Sequence, residues 1–144
     1  MDPFLLTREI PFIRDLGIEF ISAQDGAATL ALTPQPRHLN GCGAVHGGVL
    51  MSLLDVAMAV AGRTMYPGAG GGVTVEMKVS FVQPATGNSR LMAAARAFHR
   101  SKTMVFCEAE LHDAGARLIA KALGTFKYLK ADESTSASNA EVRT

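Results

Sequence analysis

From Val45 to about Met65 the chain reads VHGGVLMSLLDVAMAVAGRTM, and almost every residue is apolar or small. Leu50, Leu53, Leu54, Ala57, Val60 and Ala61 recur at helical spacing. Val49, Met51, Val56 and Met58 make the remaining faces apolar too. A helix apolar all round is one that the rest of the fold surrounds. It does not read as a membrane span, because the run is short and Asp55 lies at its middle. Downstream the period changes to two. In VTVEMKVSF, Val73, Val75, Met77, Val79 and Phe81 face one side, and Thr74, Glu76, Lys78 and Ser80 face the other. RLMAAARAFHR, TMVFCEAELHD and RLIAKALGTFKYL follow, with turn signals at Arg100–Lys102 and Ala114–Gly115. These segments predict an antiparallel meander.

Upstream, GIEFIS and AATLALT predict a first hairpin around Asp25–Gly26. The order is therefore two strands, one apolar helix and four strands. The expected class is α+β: an antiparallel sheet of about six strands wrapped around one central helix. The domain is expected to span residues 1–130. The stretch 131–144, ADESTSASNAEVRT, has Val142 as its only large apolar residue and reads as a frayed tail. Near the start, Phe4, Leu5, Leu6, Ile10, Phe12 and Ile13 fit a short helix or cover segment broken by Pro11.

Composition narrows the function. At 144 residues with 48% hydrophobic and 19% charged positions, the chain is one domain with ample core material. Fourteen Lys and Arg against thirteen Asp and Glu argue against a nucleic-acid binder, which normally carries a basic surplus. Cys42 and Cys107 lie far apart without CxxC spacing, so a reducing, cytoplasmic setting is expected rather than a disulfide framework. The N-terminus, MDPFLLTREIPF, lacks the apolar run of a signal peptide. His38, His46, His99 and His112 lack metal-ligand spacing, so no metal is expected.

Two features of the helix carry chemistry. Between Gly47 and Gly62, Asp55 is the only charged residue. Burying a carboxylate is costly unless it is paired or hydrogen-bonded, so Asp55 is either held in a structural pairing or kept for function. The entry to the helix, NGCGAVHGG over residues 40–48, is rich in glycine. Unbonded N–H groups at a helix start, reinforced by the helix dipole, suit a carbonyl oxygen becoming an anion. The same glycines would also permit close packing of helix on sheet.

The segment NGCGAVHGGVLMSLLD resembles the hotdog-fold thioesterases of the phenylacetic-acid-degradation type, with His-Gly-Gly, a spacer and Asp. GVTVEMKVSFVQPA and IPFIRDLGIEF continue the likeness, which covers nearly all of the chain except the tail. The resemblance implies that Asp55 acts as nucleophile or as general base for water. It implies that the Gly47 amide polarises the thioester carbonyl and that Asn40 helps to place the carbonyl or the water. Thr74 matches a hydroxyl that orients the carboxylate, and His46 matches a histidine that positions Gly47 and its loop. The branch similar to 4-hydroxybenzoyl-CoA thioesterases has Glu at the Asp55 position and Thr one turn later, where this chain has Ala59. Gly48, Arg100 and Lys102 are candidate substrate contacts, the last two for coenzyme A phosphates; a solvated turn explains that basic pair equally well.

The implied activity is hydrolysis of an aryl, arylacetyl or medium-chain acyl-CoA. Coenzyme A is then part of the substrate, and no other cofactor is expected. Gly47 and Asp55 are eight residues apart, about 12 Å along a helix axis. One chain therefore cannot bring both to one carbonyl. A homodimer with shared sites is expected, with edge-to-edge sheets and a further pairing of dimers into a homotetramer. No nucleic-acid or membrane partner is expected. Rival readings are a hotdog hydratase or dehydratase and a non-catalytic acyl-CoA binder or sensor.

Overall fold

The computed structural model describes residues 10–131. Along the chain it contains α1 (Pro11–Leu16), β1 (Glu19–Gln24), β2 (Ala27–Leu32), a 3-10 turn (Pro36–His38) and α2 (Gly47–Thr64). Four strands follow: β3 (Gly71–Phe81), β4 (Leu91–Arg100), β5 (Met104–His112) and β6 (Leu118–Leu129). Phe4, Leu5 and Leu6 of the expected cover segment lie outside the described residues, as does the expected tail beyond Ala131. Pro11 opens α1, where its missing N–H costs nothing in the first turn.

The strands form one sheet in the order β1-β2-β4-β5-β6-β3, with every neighbouring pair antiparallel. The first hairpin turns at Asp25 (φ 51°) and Gly26 (φ 80°), the two left-handed positions of a tight hairpin turn. β4, β5 and β6 form the expected meander. β3 does not belong to it: it pairs with β6 at the far edge. The segment 82–90 that leaves β3 contains Pro84 and runs across the sheet end. There Ala85 O accepts from Val45 N at 2.9 Å and Thr86 bridges to Ala44. A tight β3–β4 hairpin is thereby replaced by a crossover.

α2 packs on one face of the sheet and touches all six strands. Strands are about 4.8 Å apart and a helix is about 10 Å wide, so the sheet must bend around it. This is the hotdog arrangement that the resemblance implied. Leu53, Leu54 and Met58 on the helix meet Leu30, Leu32, Leu91 and Leu111 from the strands, all fully buried. Each such side chain contributes about 1.5–3 kcal/mol by leaving water. Burial of the helix is incomplete, however. Gly48, Met51, Ser52, Asp55 and Ala59 form a stripe that the chain's own sheet leaves exposed or half-covered.

Candidate active site

Asp55 sits on that stripe, half-buried rather than enclosed in the core. Its Oδ1 accepts a 2.7 Å hydrogen bond from Thr74 Oγ1 on β3. Among the described residues it makes no ion pair, and Oδ2 has no protein partner. No arginine among the described residues pairs with this carboxylate.

Thr74 reaches Asp55 because β3 is irregular. The β3–β6 register slips between Thr74 and Glu76, leaving Val75 as an extra residue. Beyond the bulge, Met77 and Val79 pack against the core and Glu76 faces outward to Thr125. Before it, Thr74 faces the helix and Val73 is exposed. Strict alternation would put Thr74 on the face away from Val79, so the expected split of β3 into two faces holds only after the bulge.

Asp55 and Thr74 border a cavity of about 290 Å³. Its wall is otherwise mainly apolar, with Phe12, Val56, Ala59, Val60 and Phe126 among its lining residues. At its far end lie Gly62, Arg63, Gly71 and Tyr128. Tyr128 Oη donates to Gly62 O at 2.6 Å, and burial pushes its phenol above the ordinary range, offset in part by Arg100 nearby. Cys107 is core, as its alternation predicted; burial pushes its thiol up to about 12.

The helix entry is built separately. His46 is the N-cap, and its Nδ1 accepts from Gly48 N at 2.9 Å. A nitrogen that accepts carries no proton, so the neutral ring holds its proton on Nε2. Val49 N and Leu50 N both donate to His46 O, at 2.9 and 3.2 Å. Of the first four helical N–H groups, only that of Gly47 has no acceptor among the described residues. Gly48 is a glycine for a steric reason: a Cβ there would lie 3.1 Å from His46 Nδ1. Its amide is therefore engaged by the cap rather than open to substrate. Asn40 Oδ1 accepts from Cys42 N (2.9 Å) and Ala44 N (3.1 Å), which locks the loop and leaves Nδ2 as its available donor.

Gly47 and Asn40 do not line the Asp55 cavity. The single chain thus brings Asp55 and Thr74 together at one place and gathers His46, Gly47 and Asn40 at another. Arg100 belongs to neither group. Its guanidinium donates to Met65 O at 2.8 Å and lies 4.3 Å from the centre of the Tyr66 ring, pinning the end of α2 to the β4–β5 hairpin. Lys102, on the same hairpin, is exposed. Arg63, just past the stretch in which Asp55 is the only charge, also lines the cavity; it lies eight residues from Asp55, about two helical turns along the same side.

Residues 42–120 match the family described as the thioesterase superfamily. Human acyl-coenzyme A thioesterase 13 is 30% identical over 118 residues, which is 81% of this chain and 84% of that protein. Acyl-coenzyme A thioesterase PaaI of Escherichia coli is 34% identical over 87 residues, 60% of each chain. The solved structure of the E. coli PaaI protein matches with a TM-score of 0.82 and 26% identity, covering 88% of this chain and 89% of that one.

Proposed function

The chain belongs to the thioesterase superfamily and is a thioester hydrolase, and from that premise we propose that it converts acyl-CoA and water to a carboxylic acid and free coenzyme A at sites shared between two protomers. The observation that carries this reading is the pair of half-sites on one helix. An oriented carboxylate, Asp55, lies at its middle, and the Gly47 amide, without an acceptor among the described residues, lies at its tip. Eight residues separate them, about 12 Å. Catalysis needs donor and carboxylate near 3 Å from one reacting group. Two α2 helices running antiparallel place the tip of each beside the middle of the other.

The edge of the sheet supports the same pairing. β3 spans eleven residues with nothing bonded to its outer side among the described residues, and Val73, Val75 and Phe81 on it are about half exposed. A long apolar edge left open invites another strand. The opposite edge, β1, has six residues and a bulge. Pairing β3 with β3 about a two-fold axis removes the open edge and covers the exposed stripe of α2.

In the shared site the carbonyl oxygen of the thioester accepts from the partner's Gly47 N–H, with Asn40 Nδ2 helping to place it or the water. Asp55, held by Thr74 through Oδ1, uses Oδ2 as nucleophile or as base for water. Oxygen-18 appearing in Asp55 during a single turnover would identify direct attack. The apolar cavity receives the acyl group, with arylacetyl, aryl and medium-chain groups as its class. This hydrolysis needs no metal or redox cofactor. Exposed Lys102 is the remaining candidate for a coenzyme A phosphate, since Arg100 is engaged internally. Both cysteines are free thiols, in keeping with a cytoplasmic setting.

The test is Asp55→Asn, which keeps size and the hydrogen bond from Thr74. Turnover on an acyl-CoA panel should fall by about 10²–10⁴-fold while the melting temperature holds. Light scattering should report a dimer or a multiple of it. An active monomer, or an active Asp55→Asn variant, would overturn the reading, and tight acyl-CoA binding without turnover would favour a sensor.

A further inference from the structure

The far end of the Asp55 cavity holds a second charge. Arg63 lines the cavity at the last turn of α2, and its Nη1 lies 3.7 Å from where a Cβ on Gly71 would stand. Arg63 is half-buried, and burial pulls its pKa below the ordinary range of a guanidinium. Among the described residues it makes no hydrogen bond and no ion pair. Four other arginines behave differently. Arg90 and Arg96 meet carboxylates, Arg117 meets Asp113 and Gln83, and Arg100 meets a carbonyl and an aromatic ring. A cation drawn out of water without a partner is a costly arrangement that an incoming anion relieves.

Position tells which anion. Asp55 and Arg63 are two turns apart on one side of α2, with Ala59 between them, and all three line the same cavity. Their backbones are about 12 Å apart, and the Arg63 head stands beside Gly71 at the opening of β3. Apolar side chains line the space between the two charges. A molecule with a thioester at one end, a short hydrocarbon middle and a carboxylate at the other would match that sequence of surfaces. The Asp55 charge would also repel such a carboxylate from the reacting end and so favour one orientation.

We propose that Arg63 is a specificity residue that selects acyl groups ending in a carboxylate, so that the preferred substrates are CoA monothioesters of medium-length dicarboxylic acids. This rests on the thioesterase reading and adds the chemistry of the acyl end. Arginine can grip a carboxylate through two parallel N–H bonds, which lysine cannot reproduce.

The experiment compares adipyl-CoA with hexanoyl-CoA, alike in length but not in charge, on the wild type, Arg63→Gln and Arg63→Lys. The quantity read is the ratio of the two kcat/KM values, which does not depend on the fraction of enzyme that folds. Wild type should favour adipyl-CoA, and Arg63→Gln should lower the ratio about 10- to 100-fold. Arg63→Lys should fall between them. A purely structural role in balancing the helix dipole would shift the melting temperature and leave the ratio unchanged. A ratio unmoved by Arg63→Gln overturns the proposal. So does an equal loss on both substrates, which would mean that Arg63 holds a coenzyme A phosphate. If wild type cleaves neither thioester nor any other on the panel, it is the thioesterase reading that fails.

Discussion

Gly47→Pro isolates the proposed oxyanion donor with little other disturbance. Gly47 is the first residue of α2, the position where proline is most readily accepted in a helix. His46 before it has φ −59° and ψ 136°, the extended region that a residue preceding proline adopts. A Cβ at position 47 would meet only the Phe81 ring, at 3.6 Å, an ordinary contact. The substitution removes one N–H, and that N–H bonds to nothing within the described chain. Since Gly48, Val49 and Leu50 already spend theirs on His46, no neighbouring amide can take over. Loss of a lone oxyanion donor costs about 2.7–4 kcal/mol in the transition state, or about 10²–10³ in kcat. Stability should hold, or rise by up to about 1 kcal/mol as the unfolded chain loses freedom.

The assay is thiol release from acyl-CoA followed with a thiol reagent. Exposed Cys42 contributes a single early equivalent and no steady rate, while buried Cys107 stays silent. Melting and circular dichroism check the fold. Co-expression then tests the sharing of sites. A Gly47→Pro protomer paired with an Asp55→Asn protomer has one site built from two native halves and one with both halves broken. Random mixing makes half of the dimers hybrid, so about a quarter of wild-type activity should return from two inactive parents. A folded Gly47→Pro enzyme within threefold of wild-type kcat would refute the assigned donor. Absence of recovery in the mixture would refute the shared site.

Thr74→Val keeps the shape of the side chain and deletes the 2.7 Å bond to Asp55. Water can replace it in part, so kcat should drop about tenfold, less than for Gly47→Pro, and steady-state rates that match wild type would remove Thr74 from the site. A different effect concerns pH. His38 is buried, with Nδ1 accepting from Gln35 N at 2.9 Å, and burial together with the Arg37 charge holds its imidazole below the usual 6.5. The unfolded chain therefore binds a proton at higher pH than the native one. Stability is undiminished by His38 above 6.5 and declines as pH falls between 6.5 and the native value. The melting temperature of wild type should fall more steeply across that interval than that of His38→Gln; parallel curves would show that His38 does not set the slope.

The local rules of the chain were enough to specify its elements. A long run with helical spacing and no polar face can only be surrounded, and an Asp-Gly pair between alternating segments can only turn. The six strands, the central helix and the separation of Gly47 from Asp55 follow from such spacing, and so did the oddity of a single acid in an apolar run. Three matters depended on tertiary structure. The edge position of β3 was decided by the crossover 82–90 packing on the entry to α2, contacts between segments about forty residues apart that no local pattern encodes. The bulge at Val75 turned Thr74 toward Asp55, because a one-residue slip reverses every side chain before it. The partners of the charged side chains were also decided in space. Arg100, which the sequence offers as a free cation, is tied to Met65 and Tyr66, whereas Arg63 faces a cavity and has no hydrogen bond or ion pair among the described residues. Periodicity is a property of neighbours along the chain and shows which face a residue takes. What that face meets depends on the closure of the sheet around the helix.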